Sequence, residues 1–283
     1  MAVEVLIIAR RELRLKIRSK AIVISTLILI TIAAISPWLS RGDSEPASSS
    51  AANQNYSIAL FAIVLLYTIV SLSGSFLALT IIEEKSGRIM EVLLTSISPR
   101  QLLLGKIVGV LTFSLAQFIA IAATWMVSTS IAGTPAIEGI TAMQITYFLL
   151  WFFPAVISYS FIYSGMGALI SRSEDAGAIQ GPISILLIGS TYLAAYSLSN
   201  PTSQIIQVAT YLPPLNFSLG LGQLLVTGEL TQAITLGYLL AIFFTALTIH
   251  LALAAFENNL LYFGKFSIKR FLKDRKGLTV ATQ

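Results

Sequence analysis

Residues 82–106, IEEKSGRIMEVLLTSISPRQLLLGK, lie between a pair of strongly apolar stretches and carry four basic side chains (Lys85, Arg88, Arg100, Lys106) beside three carboxylates (Glu83, Glu84, Glu91). Helical spacing sorts them. Glu84 and Arg88 stand at i,i+4 and Arg88 and Glu91 at i,i+3, which makes one charged face, while Ile89, Val92 and Leu93 share another. A second helix is expected to start at Ser98-Pro99-Arg100-Gln101. Ser98 can cap it, Pro99 tolerates the first helical position, and Gln101 can close a capping box. Two short helices with a charged and an apolar face, held between membrane spans, suit docking onto a partner protein. A solvated loop between two spans is the plainer alternative.

The flanks decide the fold class. Upstream, 57–82 is apolar and long enough to cross a bilayer, and downstream so is 107–131; a crossing helix takes about 20 residues. Over all 283 residues the chain is 55% hydrophobic and 11% charged, with a mean hydropathy of +0.82. Soluble domains carry about 25% charged residues, so the composition is that of a multi-pass, all-α membrane protein. There is no cysteine, which rules out disulfides and thiolate chemistry, and the single histidine, His250, rules out a His-cluster metal site.

Four more spans are expected, at about 21–39, 142–170, 176–198 and 231–256, giving a six-span domain over 21–256. Before it, residues 1–20 hold six basic side chains. Wound as a helix, they put Ala2, Leu6, Ala9, Leu13 and Ile17 on one face and Arg11, Arg14 and Arg18 on the other, as an amphipathic elbow helix in the headgroup plane would. A cleaved signal peptide is the competing reading, but the basic region is long for one and the first span is long enough to cross. Residues 41–56 are Ser-, Ala- and Asn-rich and read as a mobile loop, with 132–141 and 171–175 as short connections. Pro154 is expected to kink or locally unwind the fourth span. Residues 200–230 are apolar yet broken by Pro201, Pro213, Pro214, Gly220, Gly222 and Gly228, and their pieces are short for crossings. They read as a re-entrant segment on the extracytoplasmic side, with Pro213, Pro214 and Asn216 as candidates for lining a path.

Six spans put both termini on one side. The N-terminal helix, 83–106, Arg172 and the basic tail 257–283 then share that side, which collects 17 of the 18 basic residues and leaves Arg41 alone opposite. The positive-inside rule makes it the cytoplasm, with the chain in the plasma membrane of a prokaryote. Attraction to anionic lipid accounts for the net charge of +5 without nucleic acid.

The chemistry-bearing patterns are mostly missing. No G-x-x-x-x-G-K-[ST] loop exists, so no ATP phosphate is cradled that way, and Leu72-Ser73-Gly74-Ser75 lies inside a span. Ser164 and His250 could be imagined as a nucleophile and base, but the Gly-x-Ser-Gly context is absent; His250 reads better as a packing residue beside Thr245 and Thr248. The spans hold almost no acids, whereas ion-coupled carriers use membrane carboxylates. That favours a path of apolar and hydroxyl groups driven by energy from elsewhere. Gly105-x-x-x-Gly109 and Gly177-x-x-x-Gly181 permit close helix packing. Trp38, Tyr147, Trp151 and Tyr262 read as interfacial anchors.

The run Glu83-Glu84-Lys85-Ser86-Gly87-Arg88-Ile89-Met90-Glu91-Val92-Leu93-Leu94, continuing through Ser98-Pro99 to Gly105-Lys106, resembles the E-K-x-x-R-x-x-E-x-L-L…S-P…G-K stretch of permease subunits of type-two ATP-binding-cassette exporters, particularly the NatB-like branch. Arg11-Glu12-Leu13, Ser173-Glu174-Asp175-Ala176 with Pro182, and 257–272 are similar to other segments of that family in the same order. The chain departs in having only about sixteen residues after the first span, where NatB-like members often carry a folded domain. The resemblance implies a second permease subunit and two cytoplasmic ATPase subunits that hold ATP and Mg, none of it bound by this chain. It also makes 83–106 a coupling segment, with Glu83, Glu84, Lys85, Arg88, Ile89, Glu91, Val92 and Leu93 in an ATPase groove. A membrane scaffold or receptor subunit is the alternative from another class, and an ion-coupled secondary transporter the third.

Overall fold

The computed structural model describes residues 2–39, 50–87, 89–133, 142–170 and 173–259. Among them all regular structure is helical: α1 (Ala2–Arg18), α2 (Lys20–Leu39), α3 (Ser50–Ser86), α4 (Ile89–Leu94), α5 (Pro99–Ala132), α6 (Ala142–Leu169), a 3-10 turn at Ser173–Ala176, α7 (Gly177–Ser199), α8 (Gln204–Thr210), α9 (Asn216–Thr227) and α10 (Gln232–Asn259). Six stretches are long and apolar enough to cross a membrane: Lys20–Trp38, Asn55–Ser86, Pro99–Ala132, Met143–Leu169, Glu174–Ser199 and Gln232–Glu257. These are the six spans read from the sequence.

Two boundaries differ. Helix α3 starts at Ser50, inside the stretch read as a loop, because Ala51 and Ala52 favour helix and nothing breaks it before the apolar run. The helix capped by Ser98 does not stop before the third span but runs into it as one element of 34 residues. Helix α6 passes through Pro154 without a break. At 1.5 Å per residue α3 and α5 are about 55 and 50 Å long, well beyond a hydrocarbon core of about 30 Å. The charged end of α3 and the start of α5 lie together beside α1 and α4.

Helix α1 lies parallel to this portion of α5. Gln101 Nε2 donates to Glu4 Oε2 at 2.8 Å, and a Cβ built on Gly105 would stand 2.6 Å from Ile8 Cβ. A Cβ on Gly109 would stand 2.7 Å from Glu12 Cβ, and Lys16 Nζ sits 5.1 Å from the Phe113 ring. Each partner is 97 positions from its mate, so the two helices run side by side for about three turns, and the two glycines of Gly105-x-x-x-Gly109 are what let them meet. Gly177 and Gly181 have nothing within 4 Å of such a Cβ. Helix α2 continues along α5, with Gln117 Nε2 donating to Thr26 Oγ1 at 3.0 Å and Trp38 Nε1 to Ser128 Oγ at 3.2 Å.

At the far end α9 is inserted among α3, α6, α7 and α10, with most of its length buried. Its glycines explain how. Gly220 faces Trp151, where a Cβ would overlap the ring, and Gly222 faces Ile63 at 2.8 Å. Trp151 is fully buried by this contact, so it is a core residue and not an interfacial anchor. Tyr147 is also buried, its hydroxyl donating to Gly228 O at 3.2 Å, whereas Trp38 is 46% exposed; Tyr262 lies outside the described residues.

Candidate functional site

Helix α1, the last turn of α3 and the start of α5 enclose a cluster of charges that the surrounding apolar sequence makes conspicuous. Glu12 and Lys16 come from α1, Glu84 and Lys85 from α3, and Lys106 from α5; each of the five is buried, the lysines completely. Lys106 Nζ donates to Glu12 Oε1 at 2.6 Å and faces Glu84 Oε2 at 3.0 Å, the second as an ion pair without hydrogen-bond geometry. Arg11 closes the other side, its guanidinium 3.3 Å from Glu84 Oε1 and its side chain 43% exposed. One lysine thus ties three helices through two carboxylates. Burial of two acids costs several kcal/mol each unless such a partner is present, and removing one partner of a buried pair costs about 3–5 kcal/mol.

Two further lysines flank this centre. Lys85 Nζ donates to Ala168 O at 2.6 Å, at the last turn of α6, where helix carbonyls lack intrahelical partners and the dipole favours a cation. Lys16 Nζ makes no hydrogen bond and lies over the rings of Phe113, at 5.1 Å, and Phe76, at 5.8 Å. Burial pulls its pKa from 10.5 to about 7; the Glu12 carboxylate opposes that shift and the charge of Lys106 adds to it.

Helix α4 is attached directly below. The capping box at its downstream turn is formed as its residues require: Ser98 is extended at φ −75°, ψ 152°, its hydroxyl accepts from the Gln101 N–H at 3.3 Å, and its own N–H donates to Gln101 Oε1 at 2.9 Å. Arg100 pairs with Glu257 at the end of α10, one of its two contacts measuring 3.2 Å. Met90 is fully buried, and Leu93, Leu94 and Ile97 pack against the core. Ile89 is 46% and Val92 70% exposed, with Glu91 and Glu83 exposed beside them.

The eight residues read from sequence as a docking set therefore divide. Glu83, Ile89, Glu91 and Val92 are available at the surface, Leu93 is half-buried, and Glu84 and Lys85 point inward to partners within the chain; Arg88 lies outside the described residues. A continuous charged face from Glu84 to Glu91 does not form, because α3 ends at Ser86 and α4 begins at Ile89. The sequence reading overlooked Glu12, Lys16 and Lys106 as a site. Their signal was present as charges on otherwise apolar helix faces, but their partners are some 94 positions away.

On α1 the faces are three and not two. Ile8, Ala9, Glu12 and Lys16 turn toward α5; Leu6 and Ile17 are exposed on an apolar side; Arg14 and Arg18 are exposed on a basic side, while Arg11 is drawn to Glu84. Elsewhere, Ser164 donates to Phe161 O at 3.0 Å inside α6, and His250 lies on the exposed side of α10. Asn216, at the start of α9, is fully buried and donates to Gly237 O at 2.7 Å. Pro213 and Pro214 stand in the turn before it, half-buried, and Ser190 donates to Leu215 O at 2.9 Å.

Residues 17–252 match the profile of the family described as ABC-2 family transporter protein. Among curated proteins the chain is similar to uncharacterized protein YhaP of Bacillus subtilis, 23% identical over 170 residues that make up 56% of this chain and 41% of that protein. It is also similar to uncharacterized protein MJ1024 of Methanocaldococcus jannaschii, 29% identical over 152 residues, 53% of this chain and 36% of that one. The matched regions thus span less than half the length of either relative.

Proposed function

Because the chain belongs to the ABC-2 family of transporter proteins, we propose that it is the permease subunit of an ATP-binding-cassette exporter, coupled at α4 to separate ATPase subunits. As a transport component it has no reaction of its own to perform. Two copies of this chain, or this chain and a related one, enclose the path, and two cytoplasmic ATPases bind ATP and Mg and move them. The end that carries α1 and α4 is the cytoplasmic one, in keeping with the basic residues gathered there, and the membrane is the plasma membrane. Helices α8 and α9, joined by Pro213-Pro214, enter from the opposite face and return to it, with Asn216 at their deepest point.

The observation that carries this reading is the coupling of α4 to the bundle. Met90 anchors α4 in the core, and the Glu12–Lys106–Glu84 cluster fastens the adjoining ends of α3 and α5 to α1. A push on Ile89, Glu91 and Val92 would move those ends together, as a lever must. Exposed Ile89 and Val92 supply apolar contact area to a groove, and Glu83 and Glu91 orient the pair.

The test is purification of the tagged chain in mild detergent, with the co-purified proteins assayed for ATP hydrolysis. A stoichiometric ATPase that is lost on Val92→Glu, while the variant keeps its elution volume and melting temperature, is the expected result. Recovery of the chain alone, or with a partner that has no nucleotide-binding motif, would return the scaffold reading.

A further inference from the structure

Between α3, α5, α6 and α9, in the half of the bundle remote from α1, lies a cavity of about 260 Å³. Two ring pairs frame it. Phe61 stacks on Trp125 with centroids 5.0 Å apart, and Phe118 stacks on Phe148 at 4.3 Å. The short side chain of Ala122 keeps the space between the pairs open. Gln144 is the polar residue of the lining, and its amide donates to Asn55 Oδ1 at 3.4 Å. A buried water needs two to four polar partners, and an apolar cavity of about 150 Å³ already stays dry and accepts an apolar guest. Apart from Gln144 this lining gives a water little to bond to, and an apolar guest suits it better.

What surrounds the mouth decides what does. Ile119 and Met126 of α5 and Ile145 of α6 line the cavity and are also 57%, 38% and 42% exposed. They belong to two membrane-crossing segments, so the opening between α5 and α6 faces bilayer hydrocarbon and not water. We propose that this cavity binds one acyl chain of a membrane phospholipid, entering sideways between α5 and α6 from the leaflet opposite α1. The chain lies between the two aromatic stacks while the headgroup stays at the interface near the start of α6. The phospholipid is preferred over a free amphiphile because the opening is lateral, toward the medium in which phospholipid chains are the bulk component. The site depends on the membrane-spanning fold alone and not on the exporter reading, so either can fail without the other.

The full chain carries three tryptophans, and Trp38→Phe with Trp151→Phe leaves Trp125 as the reporter. Reconstituted in vesicles of dibrominated phosphatidylcholine, this protein should lose more than half of the Trp125 emission seen in plain phosphatidylcholine. Ala122→Phe, which fills the cavity, should restore it. Equal emission in both lipids, or quenching as strong in Ala122→Phe as without it, would overturn the proposal. Should the double replacement fail to fold, the unaltered chain is irradiated in vesicles doped with a diazirine-tailed phosphatidylcholine. Adducts within 117–126 that disappear in Ala122→Phe are expected. No adduct there, or an adduct formed by a diazirine fatty acid but not by the phospholipid, overturns the assignment to phospholipid.

Discussion

Replacing Lys106 by methionine is the sharpest perturbation of the charged cluster, because Lys106 is the single cation within 3.0 Å of both Glu12 and Glu84 among the described residues. Methionine keeps most of the volume, so the packing against α1 that Gly105 and Gly109 allow is retained. What is lost is charge. Glu84 keeps Arg11 at 3.3 Å, while Glu12 is left with Lys16, which makes no hydrogen bond to it. One unsatisfied buried carboxylate costs about 3 kcal/mol, the lower end of the range for breaking a buried pair. At about 2–4 °C per kcal/mol for a chain of this size, Lys106→Met should melt roughly 6–12 °C below the parent in mild detergent. Adding Glu12→Gln removes the stranded charge. Replacing both members of a buried pair is often neutral, so the double variant should recover most of the loss. The assay is loss of the monodisperse peak on heating, followed by size-exclusion chromatography. A Lys106→Met protein that melts with the parent, or a double variant lower than either single one, would refute the claim that the pair fastens α1 to α5.

Three other outcomes follow from the same geometry. Lys16 binds its proton less tightly folded (about 7) than unfolded (10.5), so between those values the unfolded chain holds more protons and stability rises with pH; melting scans from pH 6 to pH 9 should show that rise, and Lys16→Met should flatten it. Gly220→Ala drives a methyl into the Trp151 ring and should destabilise by about 1–3 kcal/mol, with Trp151→Phe giving some of it back, whereas Gly181→Ala, with open space around it, should cost nothing measurable in the same melt. Glu257→Gln breaks an exposed pair with Arg100 and should shift the melt by less than the equivalent of about 1 kcal/mol, in contrast to the buried pair.

Much of the fold is legible in the sequence because its signals are local. A run of about 20 apolar residues can cross a bilayer whatever else the chain does. Ser98-Pro99-Arg100-Gln101 starts a helix because the four residues satisfy each other's backbone groups without outside help. The candidate site was legible only to a degree. Periodicity puts Glu84, Arg88 and Glu91 on one charged face, but that presumes an unbroken helix and water on the charged side. The chain instead turns at Gly87, and Glu84 looks inward at Lys106.

Trp151 shows the same division. An aromatic residue near the start of a span reads as an interfacial anchor until a glycine of α9, some 69 positions later, is brought against its ring. The sequence by itself determined the six spans and the cap at Ser98, since each depends on neighbours within a turn or on bulk transfer to hydrocarbon. Only the tertiary structure decided which charges are buried and which side of α1 meets α5. A charge in a helix can face lipid, water or a partner with the same local pattern, and the choice rests on whether an opposite charge arrives from a distant helix to offset its desolvation.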